Sequence, residues 1–189
     1  DPYPSSYHPE FKRSIHWVER LRYLSIKSLT KRAYKVTLPS QMLATYLEQY
    51  YPIKNKWVVI PHAGLHLPFI QLTQAEQTQK MVVSHTGLLL SSRNPKNLIL
   101  AFLDLFAKYP EARKDVLLKI VGPFKIKDSE LETLFLENTD WIVLEKDRIS
   151  YAESMQILYN SDALVLIDFD SDFSPIMLGK LGDYFSFNK

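Results

Sequence analysis

From Lys80 to the end of the chain, short runs of Val, Ile and Leu alternate with longer stretches of helical pattern. This alternation restricts the possible folds more than any other feature of the sequence. "MVVSHTG", "VLLKIVG", "WIVLEK" and "ALVLIDF" read as strands. Between and after them, "NPKNLILAFLDLFAKYP", "DSELETLFLENT", "SYAESMQILYNS" and "LGKLGDYFSF" read as helices. Strands that are apolar along their whole length, rather than at every second residue, are buried on both faces. With helices between them they build a parallel sheet covered on both sides. The expected fold class is therefore α/β, a Rossmann-like parallel sheet flanked by helices. Start signals support this: Asn94 with Pro95 at the first position of one helix, and Asp128 or Ser129 capping the next. Upstream, "KVTLPS" is a short β-type run, Ser40 caps a helix over "QMLATYLEQYY", and "KWVVIPHAG" is a strand leaving through a turn.

At 189 residues, with 46% hydrophobic, 23% charged and 13% aromatic residues, the chain can bury a core of ordinary domain size. It contains no cysteine, which excludes disulfides, thiolate metal sites and cysteine nucleophiles. Its five histidines, His8, His16, His62, His66 and His85, lack the spacing of a helical metal pair, so no metal site and no cofactor are expected. No apolar run reaches the ~18 residues of a membrane span. No signal peptide opens the sequence, which makes the cytoplasm the expected location. The net charge of +2 is unevenly spread. Residues 10–35 carry eight bases against Glu10 and Glu19, a local charge of +6. In that segment Ile15, Val18, Leu21 and Leu24 recur three apart, so it reads as a basic amphipathic helix. Its expected partners are a missing domain or an anionic membrane surface; nucleic acid is not expected.

Ligands of open parallel sheets lie beyond the carboxyl ends of the strands. The candidate loops are 86–95, 122–127, 145–150 and 168–180. They hold Gly87, Arg93, Gly122, Lys125, Lys127, Arg148, Ser150, Ser174 and Lys180. Cations and helix N-termini gathered at one edge suit a phosphate or pyrophosphate. Neither GxGxxG, GxxxxGK[ST] nor a Gly-x-Ser-x-Gly elbow is present.

Read together, four stretches resemble the nucleotide-sugar glycosyltransferases of GT-B architecture, in particular the retaining family-4-like group (glycosyl transferases group 1). They are "VTLPSQMLATYLEQYYPIKNKWVVIPHAG", "VVSHTGLLLSSRNPKNLILAFLDLFAKYP" with "LLKIVGPF", "ISYAESMQILYNSDALVLIDF" and "KLGDYFSFNK". The likeness covers residues 34–189. It implies the C-terminal, donor-binding domain of such an enzyme, truncated before its last strand, with residues 1–33 carried over from a missing N-terminal domain. A donor domain without its acceptor half is expected to be inactive alone.

The resemblance also implies roles for individual residues. Gly87 lies where backbone approaches the donor diphosphate, Gly122 is a further donor-binding position, and Arg93 and Lys180 lie near its phosphate-binding bases. Arg148, Ile149 and Ser150 meet the nucleotide base. Asp183 holds ribose hydroxyls. The family's first acid would stand at position 175, which is Pro. The sugar contact therefore passes to Asp170 or Asp172, or sugar recognition differs. Ser174 or Gly179 opens the last helix, whose N–H groups face the anion, with Leu178, Leu181 and Phe185 turned inward and Lys180 toward solvent. The simpler reading of the same helix is a Lys180–Asp183 salt bridge on the surface.

The implied activity is metal-independent transfer of a sugar, with retention, from a UDP- or GDP-sugar to a glycan or lipid-linked acceptor in cell-surface polysaccharide synthesis. A non-catalytic nucleotide-binding or interaction module of the same fold is the alternative, and a sugar-nucleotide epimerase is a third reading for which no acid–base residues are evident.

Overall fold

The computed structural model describes residues 17–62, 71–74, 79–91, 93–168 and 178–187. The described residues fall into two compact units: those up to His62, and those from residue 71 onward.

The first unit contains helix α1 (Trp17–Arg32), strand β1 (Val36–Leu38), helix α2 (Gln41–Glu48) and strand β2 (Trp57–Val59). β1 and β2 pair in parallel, with Val36 opposite Trp57 and Leu38 opposite Val59. Ser40 caps α2 as expected: its Oγ accepts from the Leu43 N–H at 3.1 Å. α1 packs differently from expectation. Leu21 and Leu24 are 54% and 50% exposed; Ile15 lies outside the described residues, and so does the Val18 side chain. The face that does pack carries Tyr23, Ile26 and Thr30. The Tyr23 hydroxyl donates to the Tyr50 carbonyl at 3.2 Å, and its ring lies 5.5 Å from that of Tyr51. Lys56 Nζ donates to the Lys31 carbonyl at 2.9 Å, near the C-terminal end of α1 where the free carbonyls favour a cation. Aromatic area and these hydrogen bonds outcompete the leucine stripe for the packed face.

The second unit is built on a four-stranded sheet, with β3 (Met81–Thr86), β5 (Val116–Val121), β7 (Ile142–Glu145) and β8 (Ala163–Leu164). Its order is β7-β5-β3-β8 and every pairing is parallel. β3 is buried from Val82 to Thr86, as expected of a central parallel strand. Along it, Val83 joins the larger core with Ile99, Phe106, Leu118, Ile120, Leu131, Phe135, Trp141 and Ile142. The alternate face meets helix α6 (Tyr151–Tyr159) and the residues just after it: the Ser154 hydroxyl of α6 donates to Thr86 Oγ1 at 2.8 Å, and Ser161 Oγ, beyond the helix end, lies 2.7 Å from Ser84 Oγ. Helices α3 (Lys96–Lys108) and α5 (Ser129–Glu137) supply the apolar residues of the larger core, and α7 (Lys180–Phe185) follows β8.

Three local features differ from the sequence expectation. α3 begins at Lys96 with Pro95 as its N-cap. Asn94 still serves the helix end, because its Oδ1 accepts from the Lys96 N–H at 2.9 Å while its Nδ2 donates to Asp128 Oδ2 at 3.1 Å. A short helix α4 (Ala112–Asp115) precedes β5. A two-residue parallel pair, β4 (Leu89–Leu90) with β6 (Phe124–Lys125), ties together the loops leaving β3 and β5. Asp128 is the cap of α5, accepting from the Glu130 and Leu131 N–H groups at 3.1 Å each.

The strand order decides where a ligand can sit. From β3 the chain adds β5 and then β7 on one side, after which α6 carries it back to place β8 on the other side of β3. The order thus reverses between β3 and β8, which opens the switch-point crevice at their carboxyl ends.

Candidate functional site

Thr86 and Gly87 stand at the switch point, at the end of β3. Gly87 has φ +129° and Gly122 has φ +127°, the left-handed region that favours glycine. The two positions are coupled. The Gly87 N–H donates to the Val121 carbonyl at 2.7 Å, and the Gly122 N–H to the Glu145 carbonyl at 2.8 Å. A Cβ on Gly122 would lie 2.7 Å from the Gly87 carbonyl oxygen. A Cβ on Gly87 would collide with the Lys180 ammonium. Glycine at 122 thus lets the two loop backbones touch, and glycine at 87 leaves the space Lys180 occupies.

Lys180 is the first residue of α7, with Gly179 at the N-cap. Its ammonium donates to the Thr86 carbonyl. It is half-buried there, not turned to solvent as the sequence suggested. Burial pushes its pKa down to about 8; Arg93 adds to the fall and the negative charge of Asp183 opposes it. Lys180 and Arg93 thus lie close enough to feel each other's charge. α7 is only six residues long, so the anion affinity of this edge rests on Lys180 and Arg93 more than on a helix dipole.

Asp183 lies three residues on, but it does not pair with Lys180. Its Oδ1 accepts from the Tyr151 hydroxyl at 2.7 Å. The surface salt bridge is thus replaced by two separate attachments, Lys180 to β3 and Asp183 to α6. Burial and the neighbouring carboxylate hold the Tyr151 phenol up at about 12, so it stays a donor at neutral pH. The anchor of α7 also differs from expectation. Phe185 is 74% exposed, whereas Tyr184 is buried and donates to the Val165 carbonyl at 3.2 Å. Leu178 does turn inward.

His85, which sequence reasoning had set aside with the other histidines, is buried one residue before Thr86. Its Nδ1 lies 3.0 Å from the Val165 carbonyl. A carbonyl only accepts, so Nδ1 carries the proton and Nε2 is a lone-pair acceptor. Burial first, then the charge of Lys180, lowers its pKa to about 4, so it is neutral at physiological pH.

In the remaining loop, Ser150 forms a capping box with Glu153: Ser150 Oγ accepts from the Glu153 N–H at 3.2 Å, and Glu153 Oε2 accepts from the Ser150 N–H at 2.7 Å. Arg148 is exposed and Ile149 half-buried. Ser174, Asp170 and Asp172 lie outside the described residues. Among the described residues no cluster of His, Asp or Glu has the arrangement of a metal site, and no helix is long and apolar enough to cross a membrane.

The fold is α/β, a parallel four-stranded sheet flanked by helices, and it matches solved glycosyltransferases of GT-B architecture. One is a mutant of S. aureus TarM, crystallised in complex with Fondaparinux, alpha-GlcNAc-glycerol and UDP. It superposes with a TM-score of 0.58 at 12% identity, over 94% of this chain and 33% of that one. A second crystal structure of TarM superposes at 0.50 and 9% identity, over 81% of this chain and 28% of that one. The chain therefore spans about a third of the length of the structures it matches. No protein-family model and no curated protein matches the sequence.

Proposed function

We propose that residues 34–189 are the donor-binding domain of a glycosyltransferase and that the β3/β8 crevice receives a nucleotide-diphosphate sugar. The observation that carries this reading is the seat of Lys180 on the Thr86 carbonyl beside Gly87, at the switch point, with Arg93 near enough to lower its pKa. A diphosphate placed there meets two cations at the moment its bond to the sugar breaks, which is electrostatic stabilisation of a leaving group. In this reading Asp183, at the same edge, takes the ribose hydroxyls. The UDP bound in one structural neighbour is in keeping with a nucleoside diphosphate as the ligand.

The finer reading is retaining transfer, as in the family-4-like group, to a glycan or lipid-linked acceptor in cell-surface polysaccharide synthesis. Acceptor groups would then come from a domain preceding residue 34, and the basic segment 10–35 would face that domain or an anionic membrane at the cytoplasmic side.

Calorimetric titration of the chain with UDP and GDP tests the central claim. Micromolar to sub-millimolar binding of one of them, competed by the matching nucleotide sugar, is expected. Binding of neither would overturn it.

A further inference from the structure

Asp183 can hold ribose hydroxyls well only if its carboxylate keeps one orientation. A lone Asp on a six-residue helix has free rotamers, and ordering it on binding costs affinity. The geometry points to Tyr151 as the positioning residue that fixes Asp183 in its ribose-binding orientation and so makes the site select ribonucleotides over deoxyribonucleotides. This rests on the donor-site reading.

The backbone of Tyr151 is locked before any ligand arrives. It is the first residue of α6, directly after the Ser150–Glu153 capping box, and the next turn of that helix is tied to β3 through Ser154 and Thr86. From this anchored position its hydroxyl reaches across 32 positions of sequence to Asp183 Oδ1 at 2.7 Å, the length of a strong bond to a charged acceptor. Only a donor can orient a carboxylate without competing for the protons that ribose hydroxyls will supply. Oδ2 of Asp183 accepts no hydrogen bond among the described residues, so it is the oxygen presented to the ligand. A preorganised acceptor discriminates in one direction. An analogue lacking the hydroxyl leaves the carboxylate oxygen desolvated and unpaired. The same hydroxyl bond joins the loop 148–150, where the base would lie, to the ribose acid, so base and ribose recognition share one support.

The test is titration of the full chain and of Tyr151→Phe with UDP, GDP, their 2′- and 3′-deoxy forms, and inorganic pyrophosphate, each with a thermal unfolding control. The unaltered chain should prefer a ribonucleotide to at least one deoxy form by about tenfold. Tyr151→Phe should lose most of that preference, leave pyrophosphate binding unchanged and unfold at nearly the same temperature. Asp183→Asn should lose the same preference, and adding Tyr151→Phe to it should change little further. If Tyr151→Phe keeps the full preference, or weakens pyrophosphate and nucleotide alike, Tyr151 has no role in ribose selection. If the unaltered chain binds a nucleotide but shows no ribose preference, this inference falls while the donor reading stands. If it binds no nucleotide, both fall.

Discussion

The molecule has two cationic regions that treat their charges in opposite ways. α1 carries Arg20, Arg22, Lys27, Lys31 and Arg32 in a single helix, the largest number of bases in any described element, and all five are exposed. The carboxyl edge of the sheet also gathers cations, among them Arg93 and Lys180, but there Lys180 is half-buried, bonded to a strand carbonyl and pushed down to about 8. Exposed charges are screened by water and salt over about 10 Å, so their number sets long-range attraction and little else. A partly desolvated ammonium beside a second cation is held at a cost that an arriving anion relieves. Charge count therefore singles out α1 as the cationic feature, and burial singles out the switch point.

The sharpest way to break this contrast is to alter the glycines that make the seat of Lys180. Gly122→Ala introduces a Cβ against the Gly87 backbone at a strained φ and should cost about 3 kcal/mol of stability, the upper end for such strain. Gly87→Ala meets the flexible end of Lys180 instead. It should cost less stability, about 1–2 kcal/mol, while displacing the ammonium and abolishing most nucleotide binding. Chemical denaturation beside UDP and GDP titration separates the two; equal effects on both readouts would argue against the seat.

Next in size is the proton linkage of Lys180. Its folded pKa lies below the ordinary lysine value, so it loses its proton as pH rises through about 8, and a bound diphosphate would raise that pKa again. Binding is then coupled to proton uptake above pH 8. Affinity for UDP or GDP should fall between pH 7.5 and 9.5, by about tenfold in all, the share of binding that the Lys180 charge supplies. Lys180→Ala should bind about tenfold more weakly at pH 7 and show no such slope. A flat profile in the unaltered chain would remove the lysine from the phosphate site.

The smallest effects belong to α1. Replacing Lys27 and Lys31 with Gln should change stability by no more than about 0.5 kcal/mol and leave nucleotide affinity unchanged. If α1 meets an anionic membrane, the same pair should lower sedimentation with anionic liposomes, each base contributing about 1 kcal/mol, with neutral liposomes unaffected. A loss of nucleotide binding would erase the distinction between the two regions.

Much of the fold was legible from sequence because its signals are local. Ser40 and Asp128 cap helices through N–H groups two or three residues ahead, and the Val, Ile and Leu runs of β3 and β5 announce a doubly covered sheet. These interactions are determined by residues a few positions apart, which a single sequence displays. The site was legible only in part. Gly87, Lys180 and Asp183 do meet at one edge, but Tyr151 passed as an ordinary first helical residue and His85 as one of five unremarkable histidines. Lys180 finds its partner 94 residues away and Asp183 finds its partner 32 residues away. Both encounters follow from the β7-β5-β3-β8 order, which puts β8 and α7 beside the end of β3. Caps and strand runs are dictated by covalent neighbours, whereas strand order is chosen by how the helices cover the sheet. The sequence by itself therefore determined the main helices and the sheet strands, and which loops hold the candidate residues. Only the tertiary structure decided that Lys180 belongs to Thr86 and Asp183 to Tyr151, because contacts across distant segments exist only once the sheet has closed around β3.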